Sequence, residues 1–127
     1  MATTSIHDQE GDRINVAANW LIDRTEEWSI GKLPSYQRLC RQVADNAQSI
    51  INLNRPGVNG ASDVGILTLI DRIGAILRDD YFCAVTGATR LQLARHKVTI
   101  IRGAAGARLD RHAQPQQPAE VRRASAA

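Results

Sequence analysis

The sequence predicts an all-α fold, a small helical bundle of three to four helices completed by homodimerisation. Three observations predict it. Apolar residues recur every three or four positions through several long segments, the period of a helix and not of a strand. Gly and Pro gather at a few points and leave long uninterrupted runs between them. With 127 residues, 43% of them apolar but only 4% aromatic, the chain can build one modest, aliphatic core.

The first helix is expected over residues 12–28, with Asp12 as its N-cap. Ile14, Ala17, Ala18, Leu21, Ile22 and Trp28 recur at helical spacing. Trp20 and Trp28 fall on similar faces and are expected to pack between the first and third helices. The residues before them, 1–11, are polar and acidic; they read as a disordered N-terminus and not as a signal peptide. Gly31 stops this helix and Pro34 opens the next, because proline suits the first helical turn. So short a connection makes the first two helices antiparallel neighbours.

The second helix carries two stripes. Tyr36, Cys40, Val43, Ala47 and Ile50 form a narrow apolar seam. Arg38, Arg41, Asp45, Gln48, Asn52 and Arg55 form a second line of hydrogen-bonding groups that includes three arginines and is interrupted by Asp45. Arg55-Pro56-Gly57 ends the helix near Asn54. Ser62 is expected to cap a third helix over residues 63–80, with Asp63 favourable in its first turn. Its apolar residues cover more than half its circumference, too much for one bundle face. Leu67, Ile70, Ile73 and Leu77 are therefore assigned to the core or to an interface with a second copy.

After Gly87 the pattern is ambiguous. Leu91, Ala94, Val98 and Ile101 share a helical face, while Leu91 and Leu93, then Val98 and Ile100, alternate as in a strand. A helix over residues 89–102, capped by Thr89, is the better reading, because no other strand exists to pair with. From residue 103 the composition turns to Ala, Gly, Arg, Gln and Pro, which reads as a disordered basic tail. The expected organisation is thus a helical domain at 12–102 between disordered ends at 1–11 and 103–127. Arg122-Arg123-Ala124-Ser125 has the form of a basophilic kinase site.

Charge is uneven. Residues 1–85 hold eight basic and eleven acidic side chains, a balance of −3; residues 86–127 hold eight and two, a balance of +6. A basic C-terminal segment suggests a polyanionic partner, or simply a solubilising tail. Cys40 and Cys83 stand alone, which excludes a disulfide framework and a cysteine zinc site and fits a reducing, cytoplasmic location. No apolar run approaches the ~20 residues that a membrane span requires.

Catalysis is hard to assemble. His7, His96 and His112 have no carboxylate or thiol partner at local spacing. Gly57-Val58-Asn59-Gly60 lacks the Lys-Ser/Thr ending of a phosphate loop. Glu26-Glu27 and Asp79-Asp80 are adjacent pairs that diverge on a helix. No catalytic residue, metal or cofactor is expected.

The polar stripe of the second helix is the remaining candidate. A-form RNA displays phosphates and 2′-hydroxyls across a wide, shallow minor groove. Arg38, Arg41 and Arg55 suit the phosphates, while Gln48 and Asn52 both donate to and accept from hydroxyls. The rival is a helical protein-interaction module that docks through the apolar face of the third helix. A third reading is DNA binding through the basic segment from Arg90 to Arg111.

The segment from Asp12 to Tyr81 resembles the double-stranded-RNA-binding suppressors of RNA silencing made by nodaviruses. The resemblance rests on Asp12-Arg13-Ile14 opening an amphipathic helix and on a Pro-initiated second helix with Arg38, Leu39, Cys40 and Arg41 early in it. It extends to the apolar run Leu69-Ile70-Asp71-Arg72-Ile73-Gly74-Ala75-Ile76-Leu77-Arg78. It implies a dimeric helical bundle that lies along one face of an RNA duplex and reads shape. It assigns RNA contact to Arg38, Arg41, Gln48, Asn52 and Arg55.

Overall fold

A computed structural model describes residues 6–113, all but short turns of which are helical. Five helices follow one another: α1 (Ile6–Ser29), α2 (Pro34–Leu53), α3 (Gly60–Leu77), α4 (Asp80–Thr86) and α5 (Ala88–Ala113). The four long ones form a closed ring in which α1 packs on α2 and α5, and α3 packs on the same two. Neighbours run antiparallel, since Gly60 at the start of α3 lies beside His112 near the end of α5. The bundle is therefore closed within one chain.

Each apolar seam faces the axis. On α2 the predicted seam of Tyr36, Cys40, Val43, Ala47 and Ile50 is buried throughout. On α1, Ile14, Ala17, Ala18 and Leu21 are buried, and on α3 so are Ile66, Ile70, Ile73 and Leu77. Each fully buried aliphatic side chain contributes about 1.5–3 kcal/mol of transfer free energy. With this seam as the main driving force, propensity and caps have only to set the ends.

Several predicted ends shift. Asp12 caps nothing: α1 begins six residues earlier, at Ile6, because Glu10 and Gly11 pack against other helices and reward the added turns. Asn59, not Ser62, caps α3, its side chain accepting from the Ser62 N–H at 3.0 Å. The third helix stops at Leu77 rather than at residue 80, because the Asp79 carboxylate accepts the Phe82 N–H at 3.0 Å and starts α4 instead. Arg95 reinforces that stop by donating to the Leu77 carbonyl at 3.0 Å, a cation at a helix C-terminus.

Helix, not strand, holds from Ala88 onwards, and α5 continues eleven residues past the expected boundary at 102. Residues 103–113 are thus not a disordered tail: Ala104, Ala105 and Arg108 are buried in the bundle. The remainder of the predicted tail, with Arg122-Arg123-Ala124-Ser125, lies outside the described residues, as do residues 1–5. The short α4 raises the helix count to five among the described residues, and the extension of α5 changes the reading of α3. Ile70, Ile73 and Leu77 are covered within the same chain, and Leu67 packs half-buried against this core.

At the end of the bundle where α1 turns into α2, α4 closes the core. Tyr36 stacks on Phe82 at 5.2 Å between ring centroids and meets Tyr81 edge-on. The Tyr36 hydroxyl and the Thr86 hydroxyl share a hydrogen bond of 3.0 Å inside the core. Trp28 is buried and meets Trp20 edge-on at 6.1 Å, but Trp20 faces α5, with the Lys97 ammonium 5.4 Å above it, and not α3. No helix among the described residues is long and apolar enough to cross a membrane.

Burial pushes the Tyr36 hydroxyl up from 10.0 to about 12, against the opposing pull of the Thr86 hydrogen bond. Below pH 10 the folded and unfolded chains both keep this proton, and the contribution to stability is whole. From pH 10 to about 12 only the unfolded chain releases it, so stability falls as pH rises through that window. Tyr36→Phe is expected to flatten that part of the profile of urea midpoint against pH; an unchanged slope would assign the fall to other groups. Cutting the chain after Gly103 is expected to abolish the cooperative thermal transition seen by circular dichroism, and a sharp transition in that fragment would return residues 104–113 to the tail.

Candidate nucleic-acid interface

All five residues assigned to RNA contact are exposed. Arg38, Arg41, Gln48 and Asn52 lie on the outer face of α2, and Arg55 follows its C-terminus. At a rise of 1.5 Å per residue, the line from Arg38 to Arg55 is about 25 Å long. The Gln48 side chain donates to the Asn52 carboxamide oxygen at 3.2 Å, one turn along, so the two amides already share an orientation. Asp45 is exposed in the same line, as its spacing predicts. Arg41 and Asp45 also border a groove of about 610 Å³ between α1 and α2, into which Glu26 faces. That α1 edge is acidic, so a polyanion on α2 would lie on the side away from it.

The arginines of α2 differ from the cations of α5 in what they touch. Among the described residues no ion pair engages Arg38, Arg41 or Arg55. On α5, five of the six Lys and Arg residues are occupied. Arg95 holds the Leu77 carbonyl, Lys97 covers Trp20, Arg102 pairs with Asp71, Arg108 with Asp63 and Arg111 with Glu10. Three of the eight basic residues in the C-terminal segment, Arg102, Arg108 and Arg111, thus answer carboxylates of the acidic body of the same chain. Arg108 and Arg111 are thereby withdrawn from the basic segment at residues 90–111.

The innermost of these pairs was not expected from the sequence. Arg108 is 3% exposed and Asp63 0%, and their Nη2···Oδ1 distance is 2.8 Å. Arg108 Nη1 also donates to the Asn54 side-chain oxygen at 2.7 Å. The Asn54 amide donates in turn to the Gly11 carbonyl at 2.8 Å and to Asn15 Oδ1 at 2.9 Å. His112 Nε2 stands 3.3 Å from the other Asp63 oxygen, and Arg111 forks onto the Glu10 carboxylate at the rim. One network thus joins the start of α1, the end of α2, the start of α3 and the end of α5. Beside it is a cleft of about 420 Å³ lined by Asn15, Asn54, Arg55, Arg108 and His112 among others.

A signal for this network was present in the spacing. Asp63, Ile66, Ile70, Ile73 and Leu77 step by three and four, and so do Leu91, Ala94, Val98, Ile101, Ala105, Arg108 and His112. One carboxylate and one guanidinium occupy seam positions on two helices, with opposite signs. Reading α5 as ending at 102 broke the second series before it reached Arg108.

Cys40 is buried, and burial raises its thiol pKa, so it stays protonated beside Tyr36. The Cys83 thiol donates to the Leu77 carbonyl at 3.1 Å. Among the described residues no three His, Cys, Asp or Glu side chains gather where a metal ion could be held. The apolar face of α3 offered as a docking surface is mostly inside the bundle, and Val64 is the large apolar side chain that it leaves exposed. No protein-family model, curated protein or solved structure matches this chain.

Breaking a buried ion pair from one side strands a charge, which costs about 3–5 kcal/mol. Arg108→Met is expected to lower stability by about that amount in urea denaturation. Adding Asp63→Leu to it should recover most of the loss, since the stranded carboxylate is then gone. A single-variant cost below about 1 kcal/mol would show that the network does not hold this end together.

Proposed function

We propose that this chain is a non-catalytic double-stranded-RNA-binding protein that covers an RNA duplex with the outer face of α2. The observation that carries the reading is the contrast between two sets of arginines. On α5, Arg95, Arg102, Arg108 and Arg111 each hold a partner in the same chain, whereas Arg38, Arg41 and Arg55 stand exposed in one line with no ion pair among the described residues. Guanidiniums aligned along one helix face are charge-assisted donors for phosphate oxygens. Gln48 and Asn52 lie between them, and their amides suit the 2′-hydroxyls that distinguish RNA from DNA.

Binding of this kind draws its affinity from counterion release and falls as salt rises. It reads the form of the duplex and not its sequence. Shielding follows from occupancy, because an enzyme that cuts or loads the duplex needs the same backbone. Suppression of RNA silencing in the cytoplasm of a host cell is the role this activity would serve. Two copies side by side would double the stripe and give it the two-fold symmetry of a duplex. Since α5 closes the core within one chain, such a homodimer would join through surface residues.

The test is a titration against labelled double-stranded RNA, with single-stranded RNA and duplex DNA as competitors, at low and physiological salt. Arg38→Ala with Arg41→Ala is expected to reduce affinity for the RNA duplex about tenfold or more and to leave helicity unchanged. Retained binding in the double variant would take the site off α2.

A further inference from the structure

The side of the ring formed by α3 and α5 is opposite the side formed by α1 and α2. It holds a groove of about 590 Å³ whose rim includes Asp71, Arg78, Arg95, Thr99 and Arg102. Three guanidiniums lie along it, one for each successive turn of α3. Arg102 Nη1 is on Asp71 Oδ1 at 2.8 Å. Arg78 Nη1 lies 3.7 Å from the point that a Cβ on Gly74 would occupy. Arg95 Nη2 is on the Leu77 carbonyl at 3.0 Å. Positions 71, 74 and 77 are each about 4.5 Å apart along a helix axis, so the row is about 9 Å long.

The row is built to accept anions. Arg95 and Arg102 each use one terminal nitrogen to fix the guanidinium and keep other N–H groups free. Arg78 is exposed and has no ion pair among the described residues. Gly74 keeps the groove open where Arg78 lies across it, a space that any larger side chain would enter. Asp71 is the one carboxylate on the rim, and Arg102 already neutralises it. No aromatic side chain lines the groove, so it offers no platform for stacked bases.

We propose that this groove takes one phosphodiester strand of a nucleic acid, its consecutive phosphates meeting Arg95, Arg78 and Arg102 in turn. The choice of a nucleic acid over another phosphate chain rests on the reading of α2 above. The groove contacts backbone only and is indifferent to sequence. Because it lies across the bundle from the Arg41 edge of α2, one molecule holds two backbone segments and links duplexes that the α2 face alone would only coat.

The experiment is a titration of the full-length, isotope-labelled protein with a short RNA duplex, followed by NMR. The Arg78 side-chain N–H and the Thr99 amide report the groove; the Gln48 and Asn52 side-chain amides report α2. Both sets are expected to shift, and Arg78→Glu is expected to weaken the groove response about tenfold while α2 titrates as before. Shifts at α2 alone, or a groove response unchanged in Arg78→Glu, overturn the groove and leave the α2 reading standing. Shifts at the groove alone uphold it and remove α2. No shift at either overturns both. A parallel titration with inorganic tripolyphosphate supplies the last arm: groove shifts with tripolyphosphate and none with the duplex would overturn the assignment to a nucleic acid.

Discussion

The ion pair between Arg108 and Asp63 is the constraint on which the bundle's architecture depends. Two charges removed from water are costly, and each is tolerable only while the other, with Asn54, is in place. Apolar seams alone allow neighbouring helices to slide by a turn at small cost, since one aliphatic contact resembles the next. A buried carboxylate that has to meet a buried guanidinium permits one register. The pair therefore sets how far α5 reaches along α3, and through Asn54 and Asn15 it also sets where α1 and α2 meet. Specificity of pairing, more than net stability, is what such a group contributes.

The same economy governs the remaining charges. The first three helices hold an excess of carboxylates, and α5 supplies the cations that answer them: Arg102 for Asp71, Arg108 for Asp63 and Arg111 for Glu10. The chain-level balance of +3 therefore says little about the surface a partner meets. What matters is which cations are left over after the bundle has closed. They include Arg38, Arg41 and Arg55 at α2 and Arg78 on the α3 rim, all of which precede the segment whose composition is most basic.

Much of the fold could be read from the sequence, and the reason is periodicity. The α2 seam is strict over five positions and is buried at all five. The α2 stripe is its complement, so its exposure follows from the same count. What failed was the reading of segments whose local chemistry contradicts their place in the fold. Residues 6–11 are polar, yet Glu10 is buried under Arg111. Residues 103–113 contain two glycines and little apolar area, yet Ala104 and Ala105 are small enough for α5 to approach its neighbours closely. In both segments helix is imposed by partners distant in the chain. Composition cannot report a partner that is 45 or 101 residues away. The paired seam positions of Asp63 and Arg108 were the one trace of it.

That separation also bears on how the protein is made. Asp63 leaves the ribosome 45 residues ahead of Arg108. At ordinary elongation rates the interval is about 2–9 s, long compared with the formation of a helix. Once Leu77 has followed, α1, α2 and α3 are complete but lack α5, and their apolar seams are open on the side that α5 will fill. Asp63 has no guanidinium to meet until Arg108 is made. Completion of the core thus waits for nearly the last residues of the described chain, and until then the apolar surface that α5 covers has no cover from its own chain.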